Sequence, residues 1–345
     1  MKKVYVGMSG GVDSSLTAAL LKEQGYDVTG VYMKNWTQDL PGMKCPWADD
    51  LADAKRVAVQ LGIDFMVFDF ETEYKHKVVD YMIEEYKLGR TPNPDIMCNQ
   101  EVKFKLFLET SLENGADMIA TGHYARVEDG VLKQAVDTNK DQTYFLYRVT
   151  REALKKTLFP LGEFTKPNVR EMAKERGLYT AAKKDSQGIC FVGKIGIREF
   201  LSQYVEQIVG SIIDKKSGKV LGQHDGAIFY TIGQRHGLEL GGGLPYYVVG
   251  KDMDKNEVYV TTDLNDDTLW KPILHISNIY WIGDAPQEGE FMIRVRHRAK
   301  LANAKLTFDT DGVVLTLDDP ERAVAAGQSV VIYDGDVCIG GGIVS

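Results

Sequence analysis

The residues best suited to chemistry fall in three stretches. The first is Ser9-Gly10-Gly11-Val12-Asp13-Ser14-Ser15. Two adjacent glycines let a backbone approach a ligand closely and take φ values barred to other residues. Serine hydroxyls and the unpaired N–H groups of a helix start favour an anion. A pyrophosphate is the natural guest, and the lysine-bearing P-loop pattern is absent, so this is not a Walker-type grip. Asp13 would repel phosphates unless Mg²⁺ lay between them, so the metal is implied with the nucleotide. The competing structural reading is a helix start punctuated by glycines.

The second stretch is Thr91-Pro92-Asn93-Pro94-Asp95-Ile96-Met97-Cys98-Asn99. Its two prolines predict a stiff, extended loop, which would hold one carboxylate three residues from one thiol. The third is Lys183-Lys184-Asp185-Ser186-Gln187-Gly188-Ile189-Cys190-Phe191, where Gly and Ser predict an exposed turn. A cysteine is by default a small buried hydrophobe. Cys338, within alternating β residues, keeps that reading, and Cys45, before Pro46, fits either. Cys98 and Cys190 depart from it because neither lies on an apolar stripe. A reactive thiol needs nearby positive charge, and Lys103 and Lys105 flank Cys98 as Lys183 and Lys184 flank Cys190. The four cysteines form no C-x-x-C pair, which disfavours a structural zinc, an iron–sulfur cluster and a disulfide scaffold and suits a reducing cytosol.

The elements that must position these groups alternate. An apolar run, Val4 to Met8, precedes the glycine turn, and a helical pattern follows from Leu16 to Gln24. A strand over 27–34, an amphipathic helix over 48–61 closed by Gly62, a strand over 65–70 and a helix over 74–88 come next. A helix over 102–113 and a strand from Met118 into Gly122 complete the pattern. Such alternation predicts an α/β doubly wound parallel sheet, with ligands beyond the carboxyl ends of its strands. A hairpin-like segment spans 125–136, and 150–205 reads as helical and basic. From about Val209 short strands and turns take over, with a hairpin around Asp252–Asn256 and an all-β tail over 275–345 that predicts a small barrel. The expected division is a catalytic domain over 1–205 with a basic helical part over 150–205, a small mixed central domain over 206–272 and a C-terminal β-barrel over 273–345.

The chain has 345 residues, 44% apolar and 26% charged, which is ordinary for a soluble protein. No run has the length of a membrane span, and the N-terminus enters a strand at once, so no signal peptide is expected. The net charge of −8 argues mildly against nucleic acid. Its distribution qualifies that, because residues 151–200 carry 11 basic and 6 acidic side chains between two acidic ends. A polyanion footprint and a solvated helix face both fit this.

Several stretches together resemble a known family. They are Met8 to Ser14, Met33-Lys-Asn-Trp36, Gly89-Arg-Thr-Pro-Asn-Pro-Asp-Ile-Met-Cys-Asn99, Ala120-Thr-Gly-His-Tyr124, Asn139-Lys-Asp-Gln-Thr-Tyr-Phe-Leu146, Lys184-Asp-Ser-Gln-Gly-Ile-Cys190, Thr231-Ile-Gly-Gln-Arg235 and Cys338-Ile-Gly-Gly-Gly342. The first alone resembles the ATP-pyrophosphatase superfamily, and all together resemble the bacterial tRNA-specific 2-thiouridylases over nearly the full length. The resemblance implies an adenine nucleotide α-hydrolase-like sheet, ATP and Mg²⁺ as cofactors, and adenylation of the C2 oxygen of a wobble uridine followed by sulfur transfer. It implies that Gly7, Met8, Ser9, Gly10, Gly11, Val12, Asp13 and Ser14 hold the phosphates, and that Met33 and Gly122 line the nucleotide site. Cys190 would carry a persulfide and Cys98 would be its partner through a transient Cys98–Cys190 disulfide. Asp95 would act as acid/base or orient the uracil. Asn93, Pro94, Asp95, His123, Lys140, Asp141, Gln142, Arg298, Ala299 and Gln328 would meet the tRNA, although Ala299 stands where the family often has an aromatic residue, and Gln187 replaces a more usual threonine. The implied partners are tRNAs of the Lys, Glu and Gln types and a sulfur donor, either a cysteine desulfurase or a sulfur relay protein, in the cytoplasm and without a membrane. An amide-forming synthetase of the same superfamily and a non-catalytic RNA-binding module are the competing readings. The first needs no paired thiols, and the second needs no ATP.

Overall fold

Val4, Tyr5 and Val6 are buried on both faces of a strand, as expected at the centre of a parallel sheet. The computed structural model describes residues 1–39, 45–184, 196–241, 243–310 and 312–345. Strand β1 (Lys3–Gly7) pairs in parallel with β2 (Asp27–Lys34) on one side and β4 (Met118–Ala120) on the other. β3 (Asp64–Asp69) flanks β2, and a two-residue β7 (Thr157–Leu158) flanks β4. The order β3-β2-β1-β4-β7 reverses direction between β1 and β4. That is the switch point where an open α/β sheet leaves a crevice at its carboxyl edge. The doubly wound sheet is therefore present. Helix α1 (Val12–Glu23) follows the glycine turn, and α2 (Trp47–Leu61) ends at Gly62 in the left-handed region, φ 59°.

Two helical stretches differ from the sequence reading. The first begins at Glu71 and runs to Lys87, and its middle, Lys75–Asp80, is a π-helix. The second begins at Pro94, earlier than expected, with Asn93 as N-cap accepting from the Asp95 N–H at 3.1 Å. Its middle, Cys98–Leu106, is again π-helical, and it ends at Glu113. The stretch Thr91–Asn99 is thus extended only as far as Asn93. Asparagine at the cap and proline at the first helical position are start signals, and they outweigh the stiff-loop reading of the same prolines. Basic residues of the middle lie on short helices, Arg151–Lys155, Lys166–Glu175 and Ile197–Leu201.

The central sheet has the order β10-β11-β8-β9, from β8 (Gly210–Asp214), β9 (Val220–His224), β10 (Tyr247–Asp252) and β11 (Glu257–Thr261). The barrel comprises β12 (Trp270–Trp281), β13 (Gly289–Arg294), β14 (Ala302–Phe308), β15 (Val313–Arg322), β16 (Ser329–Asp334) and β17 (Val337–Val344). It closes because β17 pairs with both β16 and β12. Closure depends on the glycines of the tail: a Cβ at Gly341 would sit 2.2 Å from the Val330 carbonyl, and one at Gly340 2.2 Å from that of Tyr280. A hairpin of the first domain, β5 (Arg126–Glu128) and β6 (Val131–Lys133), continues the barrel sheet at Val337, and Gln134 N–H donates to the Asp336 carbonyl. The barrel has its own apolar core around Leu306, Leu315 and Ile332. Among the described residues no helix is long and apolar enough to cross a membrane.

Candidate active site

The glycine turn is built by exclusion as much as by bonding. Gly10 sits at φ 72°, and a Cβ there would lie 2.3 Å from the Asp50 carbonyl of α2, so only glycine fits. Ser9 N–H donates to Ser14 Oγ at 3.2 Å, and Ser14 and Ser15 hydroxyls donate to the Gly11 carbonyl. Two expected nucleotide-site residues are brought to this turn. Met33 Cε lies 3.0 Å from where a Gly7 Cβ would be, and a Gly122 Cβ would lie 2.9 Å from Ser14 N. Gly122 is the residue that lets the chain after β4 pass against the start of α1.

Asp13 is gripped from two sides. Lys166 Nζ donates to its two oxygens at 2.7 and 2.8 Å, and Tyr124 OH donates to Oδ1 at 2.9 Å. Lys166 is 8% exposed. The turn that lacks a lysine in sequence thus receives one from a helix far along the chain. Nothing in the local sequence signals this, because the two residues are separated by 153 positions. The donor set bears on Mg²⁺. Among the described residues no group of three or more His, Cys, Asp or Glu side chains gathers at one point. A cation carried in on the phosphates and touching Asp13 fits these residues, whereas a metal held by protein side chains alone does not.

Cys98 begins the π-helical turn and is 2% exposed, inside the main apolar cluster. This corrects the expectation of a polar, turn-like setting: the helix that starts at Pro94 turns the thiol inward. Asn99 Nδ2 donates to the Phe145 carbonyl at 3.1 Å, tying this helix to the segment 139–146. Burial raises the Asp95 carboxyl above its ordinary value, and Lys103 opposes the rise. Burial, with the Lys103 charge adding to it, pushes the His123 imidazole well below its ordinary value. One ammonium therefore acts on the carboxylate of the thiol helix and on the imidazole beside Gly122. Phe104, next along the helix, packs its ring 5.6 Å from that imidazole. Cys190 and its flanking turn lie outside the described residues. Lys183, just before them, pairs with Asp50 and Asp53 at 2.7 Å, so the approach to that segment is fastened to α2 beside Gly10. Burial pushes the thiols of Cys45 and Cys338 up, which fits inert packing.

The residues expected to meet RNA fall into two groups. Arg298 is exposed, with φ 64°, and Ala299 and Gln328 are partly exposed on the barrel. Gln328 lines a groove of about 360 Å³ with Thr231, Gln234 and Arg296. Asn93 caps its helix, Pro94 is buried at the first helical position, and Lys140 is partly exposed in the turn that Asp137 organises. The second group faces inward. His123 is buried, with Nδ1 2.8 Å from Thr121 Oγ1. Asp141 is 1% exposed, and its carboxylate accepts from Arg294 Nη1, Thr143 Oγ1 and Ala135 N–H. Its side chain is accordingly not on the surface that a sequence reading gives it. Gln142 Oε1 accepts from Tyr124 N–H at 2.9 Å.

Comparison with known proteins covers nearly the whole chain. Residues 2–194 match the family model described as "tRNA methyl transferase HUP domain", 198–262 "tRNA methyl transferase PRC-barrel domain" and 271–344 "Aminomethyltransferase beta-barrel domain". The chain is 49% identical to proteins named tRNA-specific 2-thiouridylase MnmA from Bacillus thuringiensis (strain Al Hakam) and Bacillus anthracis, over 98% of this chain and 93% of theirs. A solved 4-thiouridine synthetase–RNA complex with bound ATP aligns with a TM-score of 0.36 and 16% identity, over 59% of this chain and 50% of that one. With half its residues shared across nearly its full length, the chain belongs to the tRNA-specific 2-thiouridylase family.

Proposed function

We propose that this protein is an ATP-dependent tRNA 2-thiouridylase acting on the wobble uridine of Lys, Glu and Gln type tRNAs. The C2 oxygen of uracil is a poor leaving group. Attack of that oxygen on the α-phosphorus of ATP releases pyrophosphate and makes the oxygen part of AMP, while the N3 proton passes to Asp95. A persulfide on Cys190 then attacks C2 and expels AMP. The Cys98 thiolate attacks the Cys190 sulfur, breaking the S–S bond, so that the outer sulfur stays on C2 and a Cys98–Cys190 disulfide forms. An external thiol reductant restores both cysteines, and a sulfur donor protein reloads Cys190. In the competing route the persulfide is first reduced and free hydrosulfide attacks C2. The target base must leave its stack to reach the reaction, and its adenylate needs shelter from water. Mg²⁺ would neutralise phosphate charge as the pyrophosphate departs, while Gly7 to Ser14, Met33 and Gly122 hold the nucleotide.

The observation that carries this reading is the packing of His123, one residue beyond Gly122 at the anion turn, on Phe104 of the helix that bears Asp95 and Cys98. It joins a pyrophosphate-type turn to a thiol and a carboxylate. The test combines purified protein, ATP, Mg²⁺, a sulfide source and unmodified glutamate-type tRNA. Digestion and mass analysis should give 2-thiouridine at the wobble position, lost without ATP and in Asp13→Ala, and lost in Cys98→Ser when a persulfide donor protein replaces free sulfide. Cys190→Ser active with free sulfide identifies Cys190 as a carrier that sulfide bypasses. AMP formation on another substrate with no thiouridine would replace the proposal by the synthetase reading.

A further inference from the structure

Asp13 and Lys166 form a closed ion pair at the anion turn. The helix Lys166–Glu175 is set against α1 by an apolar cluster that includes Val12, Leu16, Val169 and Ala173. That packing delivers the first residue of one helix to the start of the other. Lys166 Nζ donates to both Asp13 oxygens, at 2.7 and 2.8 Å. The partners differ in exposure: the Lys166 side chain is 10% exposed and that of Asp13 is 31%. Tyr124 OH donates to Asp13 Oδ1 at 2.9 Å, and Lys166 Nζ stands 5.7 Å from the centre of the same ring. An ammonium engaged with a carboxylate offers less to a phosphate, and the carboxylate itself repels one. A hard divalent cation competes for carboxylate oxygens, and Asp13 has an exposed side from which such a cation can reach it.

Resting on the reading of residues 7–14 as the ATP turn, we propose that the Asp13–Lys166 pair is a lock that Mg²⁺ exchanges. Asp13 gives up the ammonium for the cation that arrives on the phosphates, and Lys166 turns to the β- and γ-phosphates as their ligand. When the bond between the α-phosphorus and the oxygen bridging to the β-phosphate breaks, the electron pair leaves on that oxygen. Lys166 then hydrogen-bonds the departing pyrophosphate, where negative charge has grown. The ion pair thereby makes the grip on pyrophosphate conditional on the metal. Without Mg²⁺, a polyphosphate meets a carboxylate and an ammonium that is already engaged.

The test measures binding of ATP, AMP and inorganic pyrophosphate by calorimetry, with and without Mg²⁺, and needs no turnover. Lys166→Met should weaken ATP and pyrophosphate by about tenfold in the presence of Mg²⁺, the loss of one hydrogen bond between charged groups. AMP, which lacks the β- and γ-phosphates, should stay within about twofold. Asp13→Asn releases the ammonium, so Mg²⁺-free pyrophosphate should bind about tenfold more tightly than to wild type. That gain should vanish in Asp13→Asn/Lys166→Met. If AMP weakens as much as ATP in Lys166→Met, Lys166 only shapes the turn and the inference falls. It falls equally if Asp13→Asn brings no gain, or if the gain survives in the double variant, where relief of repulsion alone would explain it. Should Lys166→Met not fold, Asp13→Asn and the charge-free double variant carry the comparison. A wild type that binds ATP with Mg²⁺ and follows these expectations yet makes no thiouridine would sink the proposed function and leave the lock standing. Thiouridine formed by a protein that fails these binding arms would sink the lock alone.

Discussion

Replacing Arg294 by Met should be among the most damaging single changes to the stability of the chain. The Asp141 carboxylate is fully buried, and the Arg294 side chain is 6% exposed. Three donors serve that carboxylate: Arg294 Nη1 at 2.8 Å, Thr143 Oγ1 at 2.8 Å and Ala135 N at 3.0 Å. Arg294→Met leaves the charge with two neutral donors where water does not reach. Breaking a buried pair on one side costs about 3–5 kcal/mol, against a typical folding free energy of about 5–15 kcal/mol. The pair is not ideal, however, since Arg294 Nε is buried without a partner among the described residues. Removing both charges should therefore be much milder. In Asp141→Asn/Arg294→Met the amide oxygen still accepts from Ala135, and its NH₂ can donate to the Thr143 hydroxyl, so the loss should shrink to about 1 kcal/mol. Urea unfolding followed by tryptophan fluorescence reads this, because Trp270 and Trp281 sit on β12 of the barrel. A loss under about 1 kcal/mol for Arg294→Met, or a double variant weaker than the single one, would refute the electrostatic reasoning.

Three further outcomes are expected. Gly341→Ala should cost about 3 kcal/mol or more through its clash with Val330, while Gly335→Ala, in an open turn at φ 58°, should cost only about 1–2 kcal/mol; calorimetric melting compares them. Lys251 is pushed down to about 8 by burial, so its charge burdens the fold below that pH and the burden lifts as pH rises towards 10.5. Lys251→Met should then stabilise by roughly 1–2 kcal/mol at neutral pH after allowing for its lost bond to the Tyr230 carbonyl, and the gain should vanish in urea titrations at high pH. His297, whose ring is tilted against that of Phe145 with centroids 4.5 Å apart, is pushed down to about 4 chiefly by burial, with Arg298 and Arg294 adding to it. The unfolded chain therefore takes the proton first, and stability should fall as pH drops from 6.5 to 4, by about 1–2 kcal/mol for a half-buried ring. His297→Phe should flatten that slope in denaturant midpoints taken across the window.

The sequence made the strand–turn–helix at the N-terminus legible because each part has a local cause: an apolar run, two glycines and a helical period. The α/β layering and the barrel followed from period alone. What it concealed depends on contacts between distant residues. The inward turn of Cys98 follows from a helix that starts at Pro94, and the two prolines of that stretch fit a stiff loop and an Asn93-capped helix start equally well in sequence. Burial of Asp141 requires Arg294, and the grip on Asp13 requires Lys166; both pairs span 153 positions. Charge counting found the basic middle but had no means of assigning one of its lysines to the anion turn. Lys103 is a neighbour of Cys98 in sequence, and only the fold brings its charge to bear on Asp95 and His123 as well.

The pairing of Asp141 with Arg294 also sets a timetable for synthesis. A ribosome adding about 5–20 residues per second needs roughly 8–30 s to move between these positions, which lie 153 residues apart. During that interval the first domain has emerged, but the carboxylate that anchors its loop has no counter-charge. Strand β17, which closes the barrel by pairing with β12 and β16, is made after both of them. Nascent chains that end before β13 carry Asp141 without the guanidinium that neutralises it. The loop that carries Asp141 therefore gains its counter-charge only once β13 has been made.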